Sequence, residues 1–146
     1  MSQYSVLVAD STQARLFSLD PGAEKLEELD QLLHQKARQR EGDINSDRPG
    51  RQQGGAGSSH HGVDVEDSAR EQENTVFAKH IGEYLEADRV KQNPRGLIIM
   101  APPHFLGILR KQLSGECQKS LVQTVNKDLA QSTPQAILDH IALPQA

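Results

Sequence analysis

The sequence predicts a single α/β domain, a mixed sheet with helices laid on it. Three observations predict it. Two short, β-branched and nearly unbroken apolar runs, Tyr4–Ala9 and Gly96–Ala101, read as strands buried on both faces. Segments with apolar residues at helical spacing follow, and in the second half they alternate with strands. The chain has 146 residues, enough to bury a core without disulfide or metal staples.

Each element has a local reason. After Tyr4–Ala9, the turn formers Asp10-Ser11-Thr12-Gln13 precede an alternating stretch from Ala14 to Leu19, which reads as a hairpin. Asp20-Pro21-Gly22 is a second turn. Lys25 to His34 is two-sided. Leu26, Leu29 and Leu33 have helical spacing, whereas the short Pro-Gly turn before them favours a third antiparallel strand. Residues 36–72 change composition and hold six of the eleven glycines. A stretch so poor in apolar residues does not offset its ordering entropy, so a mobile polar loop is expected over about 36–68. Ser68-Ala69-Arg70-Glu71 matches a capping box. Val76, Phe77, His80, Ile81, Tyr84 and Leu85 then give a helix one apolar face, ending near Val90, with His80 at its edge. Asn93-Pro94-Arg95 stops it before the strand Gly96–Ala101. Pro102-Pro103 opens a helix with the stripe Phe105, Leu106, Leu109 and Leu113, and Gly115 closes it. Lys119–Val125 reads as the last strand, and Thr133-Pro134 starts a helix carrying Ile137, Leu138 and Ile141.

If 25–34 is a strand, the order is three antiparallel strands followed by αβαβα. That is the ribonuclease-H-like arrangement, one mixed five-stranded sheet. Such a layout invites a two-metal nuclease, which needs converging carboxylates. Asp10 ends the first strand, but Ala101-Pro102-Pro103 ends the fourth with no acid, and Asp10 reads as a turn residue. His60-His61 with Asp64 is a lone His pair in a polar run, which reads as solvated. No phosphate loop of the G-x-x-x-x-G-K-[ST] type occurs. The single cysteine, Cys117, excludes an internal disulfide and reads as structural. No metal and no cofactor is expected. Net charge is −4, against a generally basic nucleic-acid coat though not a local patch. No run is long enough to cross a bilayer and no signal peptide is evident, so the expectation is a cytoplasmic protein with no membrane partner.

What remains is the chemistry of the polar stretch. Lys36, Arg38, Arg40, Arg48 and Arg51 precede Gln52-Gln53-Gly54-Gly55. Guanidinium groups grip phosphate, Gln offers amide donors and acceptors, and glycines allow close backbone approach. The combination suits an RNA backbone or a tRNA end, and Arg110 on the later helix would extend the patch. Glu41, Asp43 and Asp47 interleave with the arginines, so a solvated loop of balanced charge is the plain alternative.

Val8-Ala9-Asp10 with Ala14-Arg15-Leu16-Phe17, Asp47-Arg48-Pro49-Gly50-Arg51, Phe77-Ala78, Ala101-Pro102-Pro103-His104-Phe105-Leu106-Gly107-Ile108-Leu109-Arg110 and Asn126-Lys127-Asp128-Leu129 together resemble the bacterial host attachment protein family. That family looks like bacterial relatives of the central domain of archaeo-eukaryotic peptide-chain release factors. The resemblance implies the ribonuclease-H-like fold and makes 25–34 a strand. The release-factor domain carries a Gly-Gly-Gln tip on a long loop; here the order is Gln53-Gly54-Gly55-Ala56, with Gln ahead of the glycines. The expected function is a ribosome- or tRNA-associated translation or stress factor. It would bind RNA through Arg48, Arg51, Gln52, Gln53, Gly54, Gly55 and Arg110, with no catalytic residue assigned. The alternatives are a peptidyl-tRNA ester hydrolase using Gln52 or Gln53, and a protein-interaction module linked to host attachment that forms a homo-oligomer.

Overall fold

The computed structural model describes residues 3–37 and 48–142, with side chains described for 3–37 and 68–142. Among the described residues, five strands and four complete helices follow in the order β1 (Tyr4–Ala9), β2 (Gln13–Asp20), β3 (Lys25–Leu33), α1 (Arg48–Gln92), β4 (Leu97–Met100), α2 (Pro103–Gln112), α3 (Gly115–Ser120), β5 (Leu121–Val125) and α4 (Pro134–Leu138), with residues 35–37 also helical after β3. The strands form one open sheet in the order β3-β2-β1-β4-β5. β1, β2 and β3 are antiparallel neighbours, while β4 lies parallel to both β1 and β5.

β1 and β4 sit side by side at the centre, buried throughout, which is why their sequences are unbroken apolar runs. Alternate residues feed two cores. Leu7, Ala9, Leu16 and Ile99 meet Phe77, Ile81 and Leu85 of α1 and Phe105 and Leu109 of α2 on one face. Val6, Val8, Phe17, Ile98 and Met100 meet Ile137 of α4 on the other.

β3 is a strand, as the Pro-Gly turn favoured and the helical spacing did not. Its pairing explains the misleading pattern. Leu16 pairs with Asp30 and Phe17 with Glu28, so Leu29 is an extra residue without a partner. The slip reverses which face each residue meets. Leu26 enters the α4-side core, whereas Leu32 packs on the α1 side although six residues separate them. The opposite edge repeats the device. Leu97 pairs with Leu121 and Ile98 with Gln123, leaving Val122 over. Val122 lies against Gly96, where an added Cβ would sit 2.7 Å from its Cγ1.

The expectation of a loop over about 36–68 is corrected in its second half: the backbone is helical from Arg48, and Ser68 is an interior helical residue rather than an N-cap. Residues 38–47 lie outside the described residues. The reason is cooperativity. A helix nucleated by the docked stretch from Phe77 to Leu85 adds one hydrogen bond per further residue without a second nucleation cost, so it runs on into sequence with no apolar stripe. At its other end Asn93 takes φ 49° and its N–H donates to the Arg89 carbonyl at 2.9 Å, the expected stop.

α2 follows the predicted stripe, but Gly115 does not close it. Leu113 is already extended, and Ser114 caps a further short helix, its Oγ accepting from the Cys117 N–H at 3.0 Å. Thr133 caps α4 in the same way, accepting from the Ala136 N–H at 3.1 Å. α1 and α2 run parallel and nearly touch, since a Cβ on Gly82 would stand 2.5 Å from the Gln112 carbonyl oxygen.

Candidate functional site: a cleft at the carboxyl ends of the parallel strands

In open α/β sheets, ligands gather outside the carboxyl ends of the parallel strands. Here that end carries Asp10 after β1 and Pro102-Pro103 after β4. Asp10 is consumed by its own turn: Oδ1 accepts from the Thr12 N–H at 2.8 Å, the Thr12 hydroxyl at 2.7 Å and the Gln13 N–H at 2.9 Å. Among the described residues, no group of three or more His, Cys, Asp or Glu side chains is placed to hold a metal ion.

Beside that turn the chain leaves β3 at His34. Its backbone N–H donates to the Thr12 carbonyl at 2.9 Å, and its ring Nδ1 donates to the Ser11 carbonyl. Both bonds clamp His34 against the β1–β2 turn. The buried ring stacks on Phe77 of α1 with centroids 4.6 Å apart and planes 12° from parallel. Phe77 in turn packs against Phe105 at 6.1 Å, joining β3, α1 and α2.

Over this stack opens a cleft of about 470 Å³ between the end of β3 and α1. It is lined by Leu33, His34, Gln35 and Lys36 on one side and by Ala69, Gln72, Glu73, Val76, Phe77 and His80 on the other. Such a volume falls within the range of about 300–1,000 Å³ typical of small-ligand sites. His80 sits at its exposed rim, the edge position expected from the sequence. At the start of α2, His104 Nε2 meets both Glu71 carboxylate oxygens at 3.0 and 2.9 Å, tying the two helices near the same end.

A second polar cluster lies at the far end of α1. Glu86 accepts from Arg89 through Nε at 3.0 Å and NH2 at 2.7 Å, and from the Ser114 hydroxyl at 2.7 Å. The Arg89 guanidinium first, then the Ser114 hydroxyl, holds this carboxyl down at about 2. The Cys117 thiol reaches toward Glu86 at 3.6 Å; burial pushes its pKa up, which keeps it a protonated structural thiol.

A family model described as "Protein required for attachment to host cells" matches residues 5–141. The chain belongs to that family. Among curated proteins no relative matches it. In this member of the host-attachment family, Arg48, Arg51, Gln52, Gln53, Gly54 and Gly55 fall in the N-terminal part of α1, and their side chains lie outside the described ones. Arg110 is exposed on the last turn of α2, at the end where Gln112 meets Gly82. The fold therefore sets Arg110 toward the opposite end of α1 from Arg48–Gly55, and one continuous patch is not formed. His60, His61 and Asp64 share the same helix, again without described side chains. No helix among the described residues is long and apolar enough to cross a membrane.

The cleft was missed by sequence reasoning. Val76 and Phe77 were legible as an apolar helix face, but nothing in the pattern announced that Leu33 and His34 would stand opposite them. That placement depends on the slip at Leu29.

Proposed function

We propose that this chain is a non-enzymatic cytoplasmic factor that binds RNA of the ribosome or of tRNA through the N-terminal part of α1. One observation carries the reading. A helical backbone from Arg48 sets positions 48, 51, 52 and 55 at i, i+3, i+4 and i+7, the spacing of one side of a helix. Those positions are Arg48, Arg51, Gln52 and Gly55: two guanidinium groups, an amide and a gap without a side chain. Gln53 and Gly54 flank them. The first turn of α1 holds no acidic residue, and the positive end of its dipole adds to the pull on phosphate. Three antiparallel strands leading into a parallel pair, with a long helix between β3 and β4, support the ribonuclease-H-like arrangement. With it they support the likeness to the central domain of release factors. Attachment to host cells is then a downstream outcome of altered translation.

The test is cosedimentation with ribosomes across a salt series. Binding falls as salt rises, and Arg48→Ala/Arg51→Ala lowers the slope of log affinity against log salt by about two. Absence of cosedimentation at low salt, in growing and in starved cells alike, refutes the reading.

A further inference from the structure

We propose that the cleft between β3 and α1 is a nucleobase pocket that takes one unpaired base of the bound RNA strand. The inference rests on the RNA-binding reading and adds the subsite it lacks.

The walls come first. Leu33 is 41% exposed and Val76 49% exposed, and they line the same cleft from β3 and from α1. Leu29 and Val122, two exposed hydrophobics on the edge strands, are each accounted for as a strand's extra residue, whereas Leu33 ends β3 in register with Gln13. Leu33 and Val76 have no such local cause. Two apolar side chains left in water on facing walls suit a flat occupant slid between them. The floor is rigid, because the His34–Phe77 stack is held by His34's bonds to the β1–β2 turn. A site ordered in advance loses less freedom on binding.

The rim selects a base over an aliphatic group. Gln35 and Gln72 each carry an amide donor and an amide acceptor, the alternation a base edge presents. A purely apolar occupant would strip water from both amides with no replacement. Lys36 stands on the same rim with an ammonium for the phosphate next to the base. Lys36 and Ala69 both line the cleft, and from Ala69 the same helix continues back to Arg51 and Arg48, about 30 Å away at 1.5 Å per residue. A strand held at Arg48 and Arg51 reaches the opening by running along α1.

The full chain, labelled with ¹⁵N, is titrated with adenosine, guanosine, cytidine and uridine 5′-monophosphates, and separately with ribose 5-phosphate. At least one nucleotide shifts the amides of Leu33–Lys36 and Gln72–Phe77, while ribose 5-phosphate leaves them in place. Leu33→Ser/Val76→Ser, at two exposed positions, weakens that nucleotide about tenfold. Val90→Ser, at an exposed apolar position outside the cleft, leaves nucleotide affinity unchanged. No shift with any nucleotide, or equal shifts with ribose 5-phosphate, overturns the pocket even if ribosome binding persists. Nucleotide binding without any ribosome binding overturns the RNA strand as the source of the base, and the proposed function with it.

Discussion

The two faces of the sheet are covered in different ways. On one, α1 and α2 lie parallel and so close that Gly82 abuts the Gln112 backbone. Polar ties at both ends, His104–Glu71 and Ser114–Glu86, fix their register. On the other, cover comes from the five residues of α4 and its flanking segments, with Ile137 as the only fully buried α4 side chain. There the tie is a strand residue. Arg15 reaches over to the Ala130 and Ser132 carbonyls at 3.0 and 2.8 Å, while its guanidinium also meets Glu28 at 3.0 Å and stands over the Phe17 ring at 4.9 Å. Gln123 of β5 holds the other flank, donating to the His140 carbonyl at 3.0 Å and accepting from the Ala142 N–H at 3.0 Å. The lesson is that close backbone packing makes one face stiff, whereas a short helix tied only through its flanking segments makes the other adjustable.

The sharpest test removes the same bulk from each face. Leu109→Ala, in the stiff layer, leaves a cavity that parallel helices cannot close, and is expected to cost about 4 kcal/mol. Ile137→Ala, under α4, lets the short helix settle and is expected to cost about 2 kcal/mol. Urea unfolding of both variants measures this, and equal costs would break the comparison. Next comes adding one carbon. Gly82→Ala meets a backbone oxygen and forces the helices apart, costing about 2 kcal/mol despite the better helix propensity of Ala. Gly107→Ala on α2 meets nothing within 4 Å, and is expected to gain a few tenths of a kcal/mol up to about 1.

The polar tie of the stiff face gives a pH signature. Glu86 titrates at about 2 in the folded chain, below the ordinary value of 4.5. Its contribution is therefore fully present above about pH 4.5 and lost as pH falls toward about 2. The urea midpoint of the parent should drop over that window more steeply than that of Glu86→Gln. Parallel curves would remove Glu86 from the account of how α1 and α3 are joined.

Legibility in the sequence followed the same division. β1, β2 and β4 were readable because their residues face a core on one or both sides in strict order. The stripe of α2 was readable because Phe105, Leu106 and Leu109 all point at one neighbour. β3 was ambiguous because a single extra residue, Leu29, breaks the period on which strand reading depends. α3 was missed because Gly115 read as an ending, while Ser114 beside it was the cap of a new helix. The N-terminal half of α1 has no apolar period, since its backbone continues a helix docked elsewhere, so composition read as a loop. The candidate residues on that half were proposed from their chemistry alone. The cleft was not, since its walls come from segments that only the folded sheet brings face to face.

The kinked outer strands have a consequence for how copies of this molecule can meet. An outer strand invites another chain to continue the ladder only if its free amides and carbonyls keep an even spacing. β3 and β5 each interrupt that spacing, at Leu29 and at Val122. Lateral growth is thereby disfavoured at both margins, so edge-joined dimers and fibrils are poor outcomes for the native sheet.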